Sequence, residues 1–401
     1  MLENKTIFKY ADVLLWGLQK ARNKIYQPGD IVLIRADLPA LDLANVLLQK
    51  LLTRGLNPVL RLNWPPSTEK TFFTYAQAEQ LQFKVPGEKE LYSRLNGLIS
   101  LLAPSSLTHL QDVEPQKIGL FTLARKYLRD ILEQRENKQE FGWTLCLYPT
   151  QELAKKANLS LEQYSQQIIQ AVYLDRAQPV TKWEEIYLKS QKVKKWLNSL
   201  NIAQLHVQSP NVDLWISPGS KRKWIGVSGH NIPSFEIFLS PDYRHTQGTY
   251  FANQPSYKSG NLVKGVRLTF NQGKVVEAKA ELGQDFVRKQ ISLDQGASCI
   301  GEFSLTDKRF SQINKFMANT LFDENYGGEF GNCHIALGAS YADTYAGDPQ
   351  ELTPAKKKEL GFNDSGLHWD LVNTEDKTVT AHLHSGQKLV IYAHGEFALD
   401  L

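Results

Sequence analysis

The sequence predicts an α/β N-terminal domain over residues 1–180, with a mainly parallel open sheet, followed by a mainly β, α+β domain over 181–401. Three observations carry this expectation. In the first half, short apolar runs alternate with segments of helical period. Beyond Leu205 the texture changes to short strand-like pieces separated by Gly, Asn and Ser turns. A chain of 401 residues with 42% hydrophobic content also exceeds one ordinary domain, so two cores are expected.

The elements follow in order. An amphipathic segment from Phe8 to Asn23 leads to Pro28-Gly29-Asp30, which turns the chain into the apolar run Ile31-Val32-Leu33-Ile34. A helical stretch from Leu41 to Arg54 is closed by Gly55, and Pro58 to Leu62 reads as the next strand, completing a βαβ unit. Leu98 to Ala103 and Trp143 to Tyr148 read as buried strands with a helix near Leu123 to Glu133 between them. No glycine-rich phosphate loop follows any of these strands, which argues against a nucleotide site. Ser160 to Gln163 and Thr181 to Glu184 have the capping-box pattern of helix starts, the second opening a basic helix that reaches Leu200. Asp175 to Val180, containing Pro179, is the best linker candidate, with the far end of the next helix as the alternative boundary. Strands are expected at 204–207, 213–217, 265–270, 275–280, 378–384 and 388–393, with a helix from Thr306 to Leu321.

Composition excludes several classes. The net charge of +4 comes from interspersed lysines, arginines and acids, so no nucleic-acid or membrane-surface footprint is present. Cys146, Cys299 and Cys333 are odd in number and far apart, which favours a reducing cytoplasm over a disulfide framework. The polar N-terminus does not resemble a signal peptide, and no apolar run approaches the roughly 18 residues of a membrane helix. The expectation is a soluble cytoplasmic protein.

The most informative residues are isolated acids and histidines in the C-terminal half: Glu236, Glu302, Glu324, His334, His368 and Asp370. Each sits among apolar or small residues, where an unpaired carboxylate is costly to bury. Converging on one point, they have a simple use: to hold two divalent cations and activate water. Each also has a duller alternative. Glu236 and Glu302 fit solvent-facing strand and turn positions, and Asp323-Glu324 fits an exposed cap. His368 and Asp370 are more telling, because residues at i and i+2 of a strand share a face, yet His382 and His384 repeat that spacing elsewhere. Cys333 beside His334 reads as a buried inert thiol rather than a ligand.

Taken as an ordered set, Asn231 to Glu236, Ile300-Gly301-Glu302, Leu321 to Asn325, His334 to Gly338 with Tyr341, and His368-Trp369-Asp370 resemble the aminopeptidase T and aminopeptidase S family of metallopeptidases. Pro28 to Ile34, Trp143 to Thr150 and Asp213 to Ile216 extend the resemblance over nearly the whole chain. It implies that Glu236, Glu302, His334, His368 and Asp370 are ligands of two metals, zinc, cobalt or manganese. Glu324 matches a further carboxylate at the centre and Tyr341 a tyrosine beside it. It also implies peptide substrates with a free N-terminus and a homodimer.

Two departures stand out. The loop Tyr326 to Cys333 is longer and richer in glycine than the resemblance leads one to expect, and Phe235 replaces a glycine before the first ligand. Two roles stay open to Glu324, proton shuttle and metal ligand, with Glu329 as a rival for the first. Tyr341 has the same two openings, oxyanion donor or ligand. Hydrolysis of a non-peptide amide or ester, and a non-catalytic binding role, are the competing functions.

Overall fold

The turn at Pro28-Gly29-Asp30, with Gly29 at φ +93°, delivers the chain into the strand Ile31–Ala36, buried along most of its length. A computed structural model describes residues 2–22 and 24–401. The chain folds as two compact units, one of Met1–Lys182 with Ser228–Ile232 and one of Trp183–Val227 with Pro233–Leu401.

The first unit holds a five-stranded parallel sheet in the order Asn57–Leu62, Ile31–Ala36, Gly97–Leu102, Gly142–Leu147, Asn231–Ile232. Parallel strands need crossovers that cover both faces. The helices Asn4–Lys20 and Leu41–Thr53 pack together against one face. Leu33 turns to the other, joining Tyr92, Leu95, Leu128 and Phe141. The first helix buries Tyr10, Val13, Leu14 and Leu18, the expected amphipathic face, although it ends at Lys20; Asn23 lies outside the described residues. The helix expected near Leu123 is two helices, Pro115–Ala124 and Lys126–Asn137.

Ser160 caps the helix Leu161–Ala171 as predicted, its hydroxyl accepting from Gln163 N while the Gln163 side chain returns to Ser160 N. Thr181 does not. The long helix spans Pro179–Ser199, so Pro179 and Val180 are its first residues rather than linker. Proline needs no amide partner in a first turn, which lets the helix begin there.

The second unit contains an eight-stranded antiparallel sheet and a five-stranded antiparallel sheet. The larger runs in spatial order 274–279, 266–271, 247–252, 212–216, 202–209, 378–383, 388–393 and 396–397, so every strand expected in this half is present within a few residues. The smaller runs His368–Asn373, Asn332–Gly338, Ile300–Thr306, Glu236–Leu239, Ile225–Gly226. Leu205, Leu214, Tyr250 and Leu268 from the first sheet share one core with Phe303, Leu305, Ile335 and Leu371 from the second.

The helix expected over Thr306 to Leu321 is absent: only Thr320–Asp323 is α-helical there. Side chains take the amides that a helix would use. The Asp323 carboxylate accepts from Met317 N and Asn319 N at 2.7 and 2.9 Å, Ser311 Oγ accepts from Ile313 N, and Asp307 accepts from Arg309 N. Ala318 at φ +50° is incompatible with helix continuation.

Candidate metal centre

Strand alternation builds the site. In the five-stranded sheet Ile237, Phe303, Leu305, Ile335, Leu337, Trp369 and Leu371 enter the core, so their neighbours Glu236, Glu302, His334, His368 and Asp370 project from the opposite face. Small residues occupy the positions between them. Ala336 stands in register between Glu302 and Asp370, and Ser304 between Phe238 and His334, which leaves room for the long acids to converge. A register shift between Ile300 and Glu302 aims the glutamate, and Gly301 permits it: a Cβ there would lie 2.3 Å from Ala339 O.

Glu302 is the hinge of the arrangement. Its Oε1 lies 3.2 Å from His334 Nε2, and its Oε2 lies 3.6 Å from His368 Nε2. Glu236 Oε2 approaches His334 Nε2 at 3.4 Å, and Asp370 Oδ1 approaches His368 Nε2 at 3.3 Å. Two trios result, Glu236–Glu302–His334 and Glu302–His368–Asp370, each offering ligand atoms within 4.8 Å of one another and sharing Glu302. His368 Nδ1 donates to Ala339 O at 3.0 Å, which directs the Nε2 lone pair inward. His334 Nδ1 is buried and has no hydrogen-bond partner among the described residues, so the ring's polar engagement is on its Nε2 side.

Supporting residues escaped the sequence reading. Asn325 Oδ1 accepts from Phe235 N and Glu236 N at 2.6 and 3.1 Å, locking the entry to the strand of Glu236. Ser234 Oγ and Ser304 Oγ donate to the two oxygens of Glu236. Asn332 Nδ2 donates to the carbonyls of Glu324 and Tyr326, fixing the turn that presents Glu324. The signal that could have found them is weak: polar residues embedded in apolar runs.

Glu324 is buried beside the cluster but belongs to neither trio. Asn325 Nδ2 donates to its Oε1 at 3.4 Å. Glu329 is exposed, a poor position for its proposed rivalry with Glu324. Tyr341 is 43% exposed, its ring centroid 4.7 Å from that of His368 and 5.8 Å from that of Phe238. Tyr341 N donates to Ser240 Oγ at 2.8 Å, which holds the residue in place. Cys333, adjacent to His334, points to the other face toward Tyr250, as an inert thiol would. His382 packs on Trp215 in the other sheet, so its spacing to His384 has no part in the site.

The electrostatics are those of an acid cluster awaiting positive charge. Burial, then Glu302, pushes Glu236 up to about 8 despite the nearby His334. Burial and the carboxylates of Glu236, Asp370, Glu302 and Asp323 raise Glu324 well above the usual range. Burial opposes the charge on both imidazoles. Even so, the Glu302 hydrogen bond and neighbouring acids bring His334 to about 9, and Asp370 and Glu302 bring His368 to about 9. Burial also opposes ionisation of Asp370, yet His368 and His334 hold it down at about 2. Partial burial and the surrounding carboxylates keep the Tyr341 phenol protonated. Protons are thus shared among the buried acids and two imidazoles where divalent cations would allow every ligand to be unprotonated. The donor set of oxygens with two imidazoles fits such cations.

Comparison with known proteins agrees with this chemistry. The chain is 25% identical over 397 residues to aminopeptidase PepS of Streptococcus thermophilus, covering 93% of this chain and 94% of that protein. It is 26% identical over 399 residues to aminopeptidase AmpS of Bacillus subtilis, with the same coverage. The solved structure of wild-type AmpT from Thermus thermophilus superposes with a TM-score of 0.80 at 21% identity, over 98% of this chain and 99% of that one, a likeness of fold. The model of the thermophilic metalloprotease (M29) family matches residues 3–397. The chain therefore belongs to the M29 family of thermophilic metalloproteases and is a peptidase, a hydrolase of peptide bonds.

Proposed function

We propose that this metallopeptidase is an aminopeptidase that removes residues from peptides with a free N-terminus, using two divalent cations per chain. The observation that carries the dinuclear reading is Glu302, whose two oxygens face two different histidines in the manner of a bridging carboxylate. Glu236 and His334 would complete one cation's ligands, and His368 and Asp370 the other's. Divalent cations held there would supply Lewis acidity for the scissile carbonyl and for a water near neutral pH.

The chain's own residues do the rest. Glu324, a buried carboxylate beside the cluster and outside both trios, takes the proton from the attacking water and passes it to the leaving amine. Tyr341, protonated and beside His368, donates a hydrogen bond to the oxyanion of the tetrahedral intermediate. The substrate's free α-amine would be recognised at one cation or by a spare carboxylate, which restricts cleavage to the first bond. Zinc, cobalt and manganese all suit the donor set. The working form we propose is a homodimer, and the three free thiols suit a reducing cytoplasm.

A panel of peptides and their N-acetylated counterparts tests the reading. Acetylation removes a charge-assisted contact, and kcat/KM should drop roughly 30- to 1000-fold. Free amino acids should appear in order from the N-terminus. Equal hydrolysis of both sets, or internal cleavage first, overturns the aminopeptidase assignment.

A further inference from the structure

The strand carrying His368 and Asp370 is the outermost of its sheet, and His368 is its first residue. Strand ends at a sheet edge open most readily, so this half of the centre needs an external support that the inner strands of Glu302 and His334 do not. A hairpin of Ser256–Lys258 and Asn261–Val263 provides it. The hairpin and its approach dock on the edge strand through hydrogen bonds. Gln254 N donates to Val372 O at 3.2 Å, Trp369 Nε1 donates to Ser256 Oγ at 2.9 Å, and Lys258 Nζ donates to His368 O at 2.5 Å. Pro255, Ser256 and Tyr257 also wall a small cavity against Glu324 and Asp370.

The lysine is a peculiar choice for a bond to one carbonyl, because a half-buried ammonium is costly to desolvate. Its location explains it. The ammonium bonds to the main chain of His368, two residues before Asp370 in the same strand, and its charge favours ionisation of that carboxylate. His368 is thereby held twice, by Ala339 O at its ring and by Lys258 at its backbone.

We propose that Lys258 is a positioning residue for the Glu302–His368–Asp370 half of the centre, tying the start of the edge strand so that His368 Nε2 and Asp370 Oδ1 face Glu302. This rests on the dinuclear reading given above. It predicts an asymmetric defect: loss of the tie weakens one of two metal-binding steps and spares the one formed by Glu236 and His334.

The test is titration of the chelator-stripped, full-length protein with cobalt(II), followed by visible absorption and calorimetry. The wild-type chain should bind two equivalents in resolvable steps. Lys258→Met should weaken one step about 10- to 100-fold, the usual effect of removing an outer support of a metal ligand, and leave the other unchanged. Lys258→Arg, which keeps a cationic donor, should restore it. Ser256→Ala, which loosens the same hairpin at Trp369 without touching the ammonium, should titrate like wild type. Far-UV circular dichroism of the stripped variants checks folding, and Lys258→Gln, polar but shorter and uncharged, replaces the methionine variant if that one does not fold. Wild-type titration by Lys258→Met, equal weakening of both steps, or an equal defect in Ser256→Ala overturns the assignment to Lys258. A wild-type chain that takes up fewer than two equivalents overturns the dinuclear reading itself.

Discussion

Glu302 and Glu236 differ in what they can hold, although both are buried acids on neighbouring strands. Glu302 presents one oxygen to each histidine, whereas Glu236 approaches only His334. Glu302→Ala should accordingly strip both equivalents of metal, and Glu236→Ala chiefly one. Elemental analysis of the two purified variants checks this; equal loss would deny Glu302 a bridging role. Tyr341 allows a cleaner separation. Its ring contacts are aromatic and survive in Tyr341→Phe, so only the hydroxyl is lost. Turnover should fall about a hundredfold with metal content unchanged. Loss of metal in that variant would instead move the tyrosine among the ligands.

At the scale of elements, the site depends on close spacing between strands. Gly338 pairs with His368 and has φ +102°, and a Cβ there would meet Leu367 O at 2.1 Å. The obstacle is backbone, which cannot turn aside as a side chain can. Gly338→Ala should destabilise the fold by about 2 kcal/mol or more and reduce metal content, as read by urea denaturation and elemental analysis. The helix Leu161–Ala171 offers a control in the other unit. Ser160→Ala breaks its capping box and should cost about 1 kcal/mol. Metal content per folded molecule should not change.

For the molecule as a whole, the buried cluster should link stability to pH, and bound metal should weaken that link. Without cations, Glu236 and Asp323 have folded values raised to about 8, and His334 and His368 to about 9. Each raised group binds its proton more tightly in the folded chain, so its stabilisation is complete below the unfolded value and disappears as pH rises through the folded one. The acids lose theirs between about pH 4 and 8, and the histidines between about 6.5 and 9. Asp370, depressed to about 2, contributes its stabilisation across this whole range and loses it only as pH falls from about 4 towards 2. The chelated protein should therefore melt at progressively lower temperature from pH 6.5 to 9. The metal-loaded protein, whose ligands have already lost their protons, should show a flatter profile. Parallel thermal melts across that range decide it; identical profiles would mean that the cluster does not hold the cations.

Much of this was legible in the residues. The β-branched runs of the first half and the alternation of Ile335 and Leu337 with His334 and Ala336 specify strands locally, because strand period and apolar burial are properties of adjacent residues. The same alternation put His368 and Asp370 on one face, and the ordered set of acids and histidines pointed to the family. Tertiary structure decided the rest. Thr306 to Leu321 has helical residues but not a helix, since Asp323 and Ser311 capture its amides. Asn325 serves Phe235, 90 residues away in the chain, and Lys258 reaches His368 across 110. Such partners are chosen by folding rather than by neighbourhood in sequence. The division of Glu302 between two histidines has the same origin: it follows from strand register and from a bulge at Gly301, which no local pattern encodes.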